Sequence, residues 1–402
     1  MNGNRMDIVI IAEFCEDFSE TDYIRFVYLA KILAGAHDVE IVTSSFRHST
    51  KSHRREPADP WPFRITFIEE PGYPRNVCLQ RFRSHHIWGR NLLAYLKQRK
   101  KPDVIYCAVP SLTGPLKAAK HCERNGIRFI VDVQDLWPEA FQMVLKVPAV
   151  SRLVFAPFAA IADGVYRRAD AVCGVSEEYC RRALRVNRKG AESAAVYLGT
   201  ELAGFDRNAA ENAAEKPEGE IRLGYVGTLG TSYDLPVVFD AMRILKRPDL
   251  RFIVVGDGPL AEEFRKQAEG LNVTFTGRLP YDRACGVLTA CDMTVNPIVG
   301  TSVATIINKH ADYAAAGKPV LNTQNSEEYR RLVDEYRMGF NCRNHDAADL
   351  AEKLRTLLDN PDLREEMGRN ARRCAAEKFD RAQTYLKLKS LILEEGKAHE
   401  VL

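Results

Sequence analysis

The chain has 402 residues, 46% of them hydrophobic and 28% charged, with a net charge of +3. That length suits two domains, or three, each with its own core, and the composition excludes disordered and fibrous classes. Residues 1–205 carry 29 Lys+Arg against 23 Asp+Glu, a surplus too small for a nucleic-acid-binding stripe.

In chain order, 7–12 reads as a buried strand, 22–33 as a helix with a periodic apolar face, and 39–43 as a second strand. Strand-length apolar runs recur at 65–68, 104–108, 129–131, 171–175 and 195–198, with helix-length segments at 78–98, 112–124, 149–168 and 177–187. Strand and helix alternating at this spacing predict a parallel, doubly wound sheet. Residues 203–219 are polar and rich in Ala, Glu and Asn, which predicts a linker. The pattern then restarts, with strands at 221–226, 252–255, 273–275, 293–295 and 320–321. Helices fit between them at 234–245, 260–269, 281–289, 303–316, 326–335 and 347–358, and a helical tail runs from 363 to about 395. The expected division is 1–202, linker 203–219, 220–378, and a last helix in 379–402 that crosses back onto the first domain.

Several stretches carry candidate chemistry. The helix predicted over 303–316 stops at Gly317, and Lys309 and Asp312 share one of its faces. A lysine there offers a compact charge to a phosphate, and an acid one turn on can accept from sugar hydroxyls; an ordinary surface Lys–Asp pair has the same spacing. Gly224, Gly227 and Gly230 follow the strand at 221–226 and allow close backbone approach to a phosphate. Gly256 and Gly277–Arg278 end two further strands in turn-forming sequence. In the first half, Val131-Asp132-Val133-Gln134-Asp135-Leu136-Trp137-Pro138-Glu139 takes a strand into polar residues. Pro138 there predicts a helix start, with Asp135 as its cap. Acids Glu13, Glu16 and Asp17 occupy the first loop and read as solvated or as acceptor contacts.

The stretch 308–323, Asn-Lys-His-Ala-Asp-Tyr-Ala-Ala-Ala-Gly-Lys-Pro-Val-Leu-Asn-Thr, resembles retaining glycosyltransferases of family 4 (glycosyl transferases group 1), in their bacterial surface-polysaccharide branch. The resemblance extends over nearly the whole chain. It implies an α/β chain of the GT-B fold, two Rossmann-like doubly wound parallel-sheet domains facing a cleft. It also implies a glycosyltransferase (retaining, hexosyltransferase-like) that moves a sugar from a nucleotide-diphosphate donor to a growing, lipid-linked polysaccharide or glycolipid. Asp312 takes the place of the family's ribose-binding glutamate, and Ala304 that of a second glutamate, which is absent. The resemblance assigns the donor to Gly227, Thr228, Gly230, Gly256, Arg278, Thr305, Ile306, Lys309 and Asp312. Lys309 and Asp135 are the implied catalytic residues. Glu13, Glu16, Asp17 and Glu139 are candidates on the acceptor side. The arginine and lysine that many members carry on the Gly227–Gly230 turn are missing, with Thr228 and Tyr233 or Asp234 near their places, which moves the phosphate to Lys309 and backbone N–H groups.

Basic runs at 47–55 and 75–101, mixed with Phe82, Trp88, Leu92 and Tyr95, suit an anionic membrane face or a polyprenyl-diphosphate acceptor, or a charged solvent face beside a core helix. Ten cysteines show no C-x-x-C pair, as expected of reduced thiols in a cytoplasmic protein. The run 6–12 is too short for a secretory signal, and the longest apolar run, 153–162, too short to span a bilayer. The nine histidines show no paired metal-ligand spacing and no Asp-x-Asp pattern occurs, so no metal and no cofactor is expected. The expected partners are a nucleotide-sugar donor, a lipid-linked or saccharide acceptor and the inner face of the membrane, with no nucleic acid. Two rivals remain on the same fold, a nucleotide-sugar epimerase and a non-catalytic nucleotide-sugar-binding protein.

Overall fold

The structure is a computed structural model describing residues 5–15, 18, 24–54, 61–140, 148–300 and 305–394. It divides into one unit of Met1–Val196 with Tyr385–Leu402 and another of Tyr197–Thr384.

The first unit contains β1 (Asp7–Ile11), β2 (Asp38–Ser44), β3 (Phe46–Arg47), β4 (Ser52–His53), β5 (Arg64–Ile68), β6 (Val104–Val109), β7 (Arg128–Val133), β8 (Ala171–Gly174) and β9 (Glu192–Ala195). Among the described residues, seven of these form a parallel sheet in the order β5-β2-β1-β6-β7-β8-β9, and β3 and β4 pair as a small antiparallel hairpin. The strands read as continuous apolar runs because both faces are covered; Ile8, Ile10, Ile41, Tyr106 and Ile130 are fully buried. The C-terminal helix Leu386–Leu393 adds Leu388, Leu391 and Ile392 to this core.

The second unit contains β10 (Ile221–Val226), β11 (Leu250–Val255), β12 (Val273–Gly277), β13 (Met293–Asn296), β14 (Val320–Asn322) and β15 (Gly339–Asn341). They form a parallel sheet in the order β12-β11-β10-β13-β14-β15. In both sheets the order reverses beside the first strand, between β1 and β6 and between β10 and β13. The carboxyl ends at such a reversal are where doubly wound sheets bind ligands.

Several elements differ from expectation. The stretch 203–219 is helical up to Glu211, within the helix Leu202–Glu211, whose Leu202 and Phe205 join a core with Cys285 and Leu288; its alanines favour a helix as readily as a linker. The helix expected over 303–316 spans Asn308–Ala315, and positions 303 and 304 lie outside the described residues. Among the described residues no α-helix starts at Pro138: residues 134–138 form bends and a turn, a 3₁₀ turn begins at Glu139, and 141–147 lie outside the described residues; the Asp135 carboxylate accepts from the adjacent Leu136 N–H. The tail is broken at Asp380, because Thr200 donates to the Phe379 carbonyl and Arg381 N–H to the Thr200 carbonyl, drawing the backbone into a bridge.

Candidate active site

In the second unit, the turn after β10 and the helix Asn308–Ala315 come together at the sheet's reversal. The helix is anchored from below by a buried polar network. Asn296, at the end of β13, donates through Nδ2 to Asn322 Oδ1 (2.9 Å) and Gln324 Oε1 (3.1 Å). Gln324 Nε2 donates to the Thr305 carbonyl (3.0 Å), and His310 stacks on Tyr329 with ring centroids 3.4 Å apart. His310 Nδ1 also accepts from Ile307 N–H (3.3 Å), satisfying a donor at the start of the helix. That bond is why the helix begins at 308.

The network aims Lys309 at the glycine turn. Its ammonium lies 4.1 Å from the centroid of the Tyr225 ring and 3.9 Å from that of Tyr233. A Cβ added at Gly227 would meet Nζ at 2.7 Å, so only glycine leaves this space open; at Gly256, one would collide with the Gly227 carbonyl. Lys309 is 7% exposed, and its Nζ has no hydrogen-bond partner among the described residues. Burial pulls its pKa well below the usual lysine range. Two aromatic faces give partial compensation, but a buried ammonium without an acceptor is costly and stays ready for an anion. Tyr233 also lines a cavity of 490 Å³ with Thr231, Leu260, Val299, Gly300 and Asn344, within the size range of small-ligand sites.

Asp312, half-buried, accepts from the Tyr281 hydroxyl (2.8 Å), which in turn meets Thr200 Oγ1 (2.8 Å). Burial raises its pKa to about 6. Thr305 is buried with its Oγ1 unpartnered among the described residues, whereas the Ile306 side chain packs into the core and offers a ligand only its backbone. Thr228 and Arg278 are exposed, and Gly230 is buried. The lysine–glycine geometry was legible in the motifs. The two tyrosines that enclose Lys309 were not assigned that part, though Tyr225 lies inside the glycine motif.

At the corresponding edge of the first unit, Glu13 follows β1 and Ser111 follows β6. Glu13 is 2% exposed, not solvated as the loop composition suggests; the Ser111 hydroxyl donates to it. Burial, with the Glu70 charge adding, pushes its pKa well above the carboxylate range. Glu70 accepts from Ser44 (2.5 Å) and Ser84 (2.8 Å), and His85 lies beside them, drawn down to about 3 by burial and then by Arg81. Neither Glu70 nor His85 carries a motif that would have marked it. Asp135 is half-buried, its pKa raised chiefly by burial. Glu139 is tied to Arg182 (2.5 Å), which also binds Asp163 (2.8 Å) and lies over Tyr166, so it serves an ion-pair network. Glu16 and Asp17 lie outside the described residues.

The family model for glycosyl transferases group 1 matches residues 206–374, and that for a glycosyl transferase 4-like domain matches residues 24–199. A sulfoquinovosyl transferase of Arabidopsis thaliana is 28% identical over 158 residues, 39% of this chain and 30% of that relative; the match thus spans less than a third of the relative's own length. Among solved structures, HepE of Anabaena in complex with UDP superposes with a TM-score of 0.69 at 15% identity, covering 97% of this chain and all of that one. A sucrose-phosphate synthase from Thermosynechococcus elongatus gives 0.74 at 18%, over 98% of this chain and all of that one. With two parallel-sheet units, each reversing beside its first strand, and both family models matched in turn, the chain has the GT-B fold and belongs to the group 1 glycosyltransferases.

Proposed function

We propose that this protein transfers a sugar from a nucleoside-diphosphate donor, with retention at the anomeric carbon, to a lipid-linked polysaccharide or glycolipid acceptor. The observation that carries the reading is the unpartnered, buried Lys309 ammonium against the Gly227 turn. The second unit takes the donor: Lys309 meets the diphosphate and neutralises charge as the leaving group separates, a preorganised electrostatic contribution. UDP bound to HepE supports this class of donor. The test is a thermal-shift screen of nucleoside diphosphates and their sugars with EDTA present throughout, since lysine needs no metal to hold a diphosphate. A donor at 100 times its dissociation constant stabilises by ~2.7 kcal/mol. No shift with any of them would remove the reading.

Asp312 is assigned to the donor ribose. Asp312→Asn keeps an oxygen for Tyr281 but loses the charge, and is expected to raise the donor KM by roughly tenfold with kcat little changed, because ribose contacts are alike in ground and transition states. A pH series gives a second readout. The folded state holds this proton more tightly than the unfolded chain does, so wild type loses stability as pH rises from about 4, the unfolded value, through the folded value of about 6. The Asn variant lacks that loss. It should melt above wild type at neutral pH, with the gap closing in acid; an unchanged KM excludes the donor role.

The apolar surface that the helix Leu79–Gln98 could offer a membrane is narrower than the sequence suggests. Trp88, Leu92 and Leu96 of the helix Leu79–Gln98 belong to the core. Only Val77 (75% exposed), Leu79 (87%) and Phe82 (37%) stand out at its start, amid exposed Arg75 and Arg83. We assign this end to an anionic bilayer. Leu79→Asp should abolish co-sedimentation with anionic vesicles, and salt should weaken wild-type binding; equal binding to neutral vesicles would refute the electrostatic part.

A further inference from the structure

Six polar side chains are enclosed together at the carboxyl edge of the first sheet. Glu13, Glu70, His85, Ser44, Ser84 and Ser111 are each no more than 4% exposed. One ligating atom from each of Glu13, Glu70 and His85 lies within 4.8 Å of the other two. Glu13 Oε1 and His85 Nε2 are 3.7 Å apart, and neither has a hydrogen-bond partner among the described residues. That gap is too long for a hydrogen bond. Two metal–ligand bonds of about 2.1 Å opened to about 120° would span it.

The surroundings fit the same occupant. The serine hydroxyls take both Glu70 oxygens and Glu13 Oε2, orienting the carboxylates and leaving Glu13 Oε1 pointed at His85. Such outer hydrogen bonds are what hold metal ligands in place. The Arg81 guanidinium is the charged neighbour common to Glu13, Glu70 and His85. Side chains this buried can admit an ion but not a sugar ring. An imidazole nitrogen with carboxylate oxygens suits zinc or manganese better than calcium, which takes oxygen alone.

We propose that Glu13, Glu70 and His85 bind a first-row divalent cation, tying the loops after β1 and β5 to the helix Leu79–Gln98. The site belongs to the first unit.

The test uses the full chain without a histidine tag, stripped with EDTA, loaded with Zn²⁺ or Mn²⁺ and desalted. One ion per chain is expected by elemental analysis. Glu13→Gln and His85→Ala should each bind at least tenfold more weakly, while His86→Ala, at an exposed neighbour, should bind as wild type does. Should the ligand variants fail to fold, Ser111→Ala decides: it keeps all three ligands but frees Glu13, and about a tenfold loss of affinity is expected. Retention well below one ion per chain overturns the site, as does equal affinity in folded ligand variants or in Ser111→Ala. Because the metal alone is the probe, a negative result leaves the transferase reading intact, and a chain without transferase activity leaves this one intact.

Discussion

Lys309→Met is expected to lower turnover by about 100-fold or more, the scale for removing one preorganised electrostatic donor from an active site, while raising the melting temperature. The two effects share one cause. The ammonium is enclosed by Tyr225 and Tyr233 without an acceptor, and burial pulls its pKa well below the usual lysine range. A lysine with a lowered folded pKa costs stability at every pH below its unfolded value of about 10.4. Methionine fills a similar volume without the charge, so the cost disappears. In catalysis the ammonium is worth most as the diphosphate leaves, so kcat should fall more than donor affinity. Lys309→Arg is not a conservative rescue, because a planar guanidinium needs more room than the space beside Gly227 provides. A Met variant with full turnover and unchanged donor affinity would return Lys309 to a structural role.

Much of this was readable from residue order, for physical reasons. Buried parallel strands write themselves as short apolar runs, so two parallel sheets follow from spacing, whereas the strand order and its reversal come only from the fold. Lys309 and Asp312 lie one turn apart whichever residue starts the helix, so that spacing holds even though the helix begins at Asn308; their separate tyrosine partners come only from the fold. What could not be read depends on distant partners. The sequence shows Asn296, Asn322 and Gln324 as ordinary polar residues, and only folding makes them the support beneath the helix. Glu13 looked solvated because a loop acid usually is; its burial rests on Ser111, 98 positions away. The basic amphipathic helix at Leu79–Gln98 was visible, but which apolar residues face the core depends on what packs against it.

Asp132→Ala is expected to destabilise the first unit by ~3–5 kcal/mol, the cost of leaving a buried partner charge uncompensated. Asp132 stands inside β7 at 0% exposure, and Arg25, in the first turn of the helix Arg25–Ala34, at 3%. The guanidinium donates to both carboxylate oxygens (2.9 and 3.2 Å), to the Val196 carbonyl (2.9 Å) and to Cys173 Sγ (3.2 Å). Gln134 adds a further bond to Asp132 (2.6 Å). Burial is the largest influence on Arg25 and would lower its pKa, but the Asp132 carboxylate, with Tyr106, Tyr385 and Cys173 adding, together outweigh it and hold the guanidinium charged. The pair therefore stitches the first helix to β7, β8 and the end of β9, and no single cation among the 57 Lys and Arg residues could have been picked from sequence as its partner. Arg25→Ala should cost a similar amount. A double replacement with Arg25→Met and Asp132→Leu should cost far less than the two single losses summed, because no buried charge is left behind. The check is the chemical-denaturant transition of the first unit in all four chains, followed by fluorescence. A loss below about 1 kcal/mol in Asp132→Ala, the scale of an exposed pair, would show that water reaches this pair and that the helix is held by its apolar face alone.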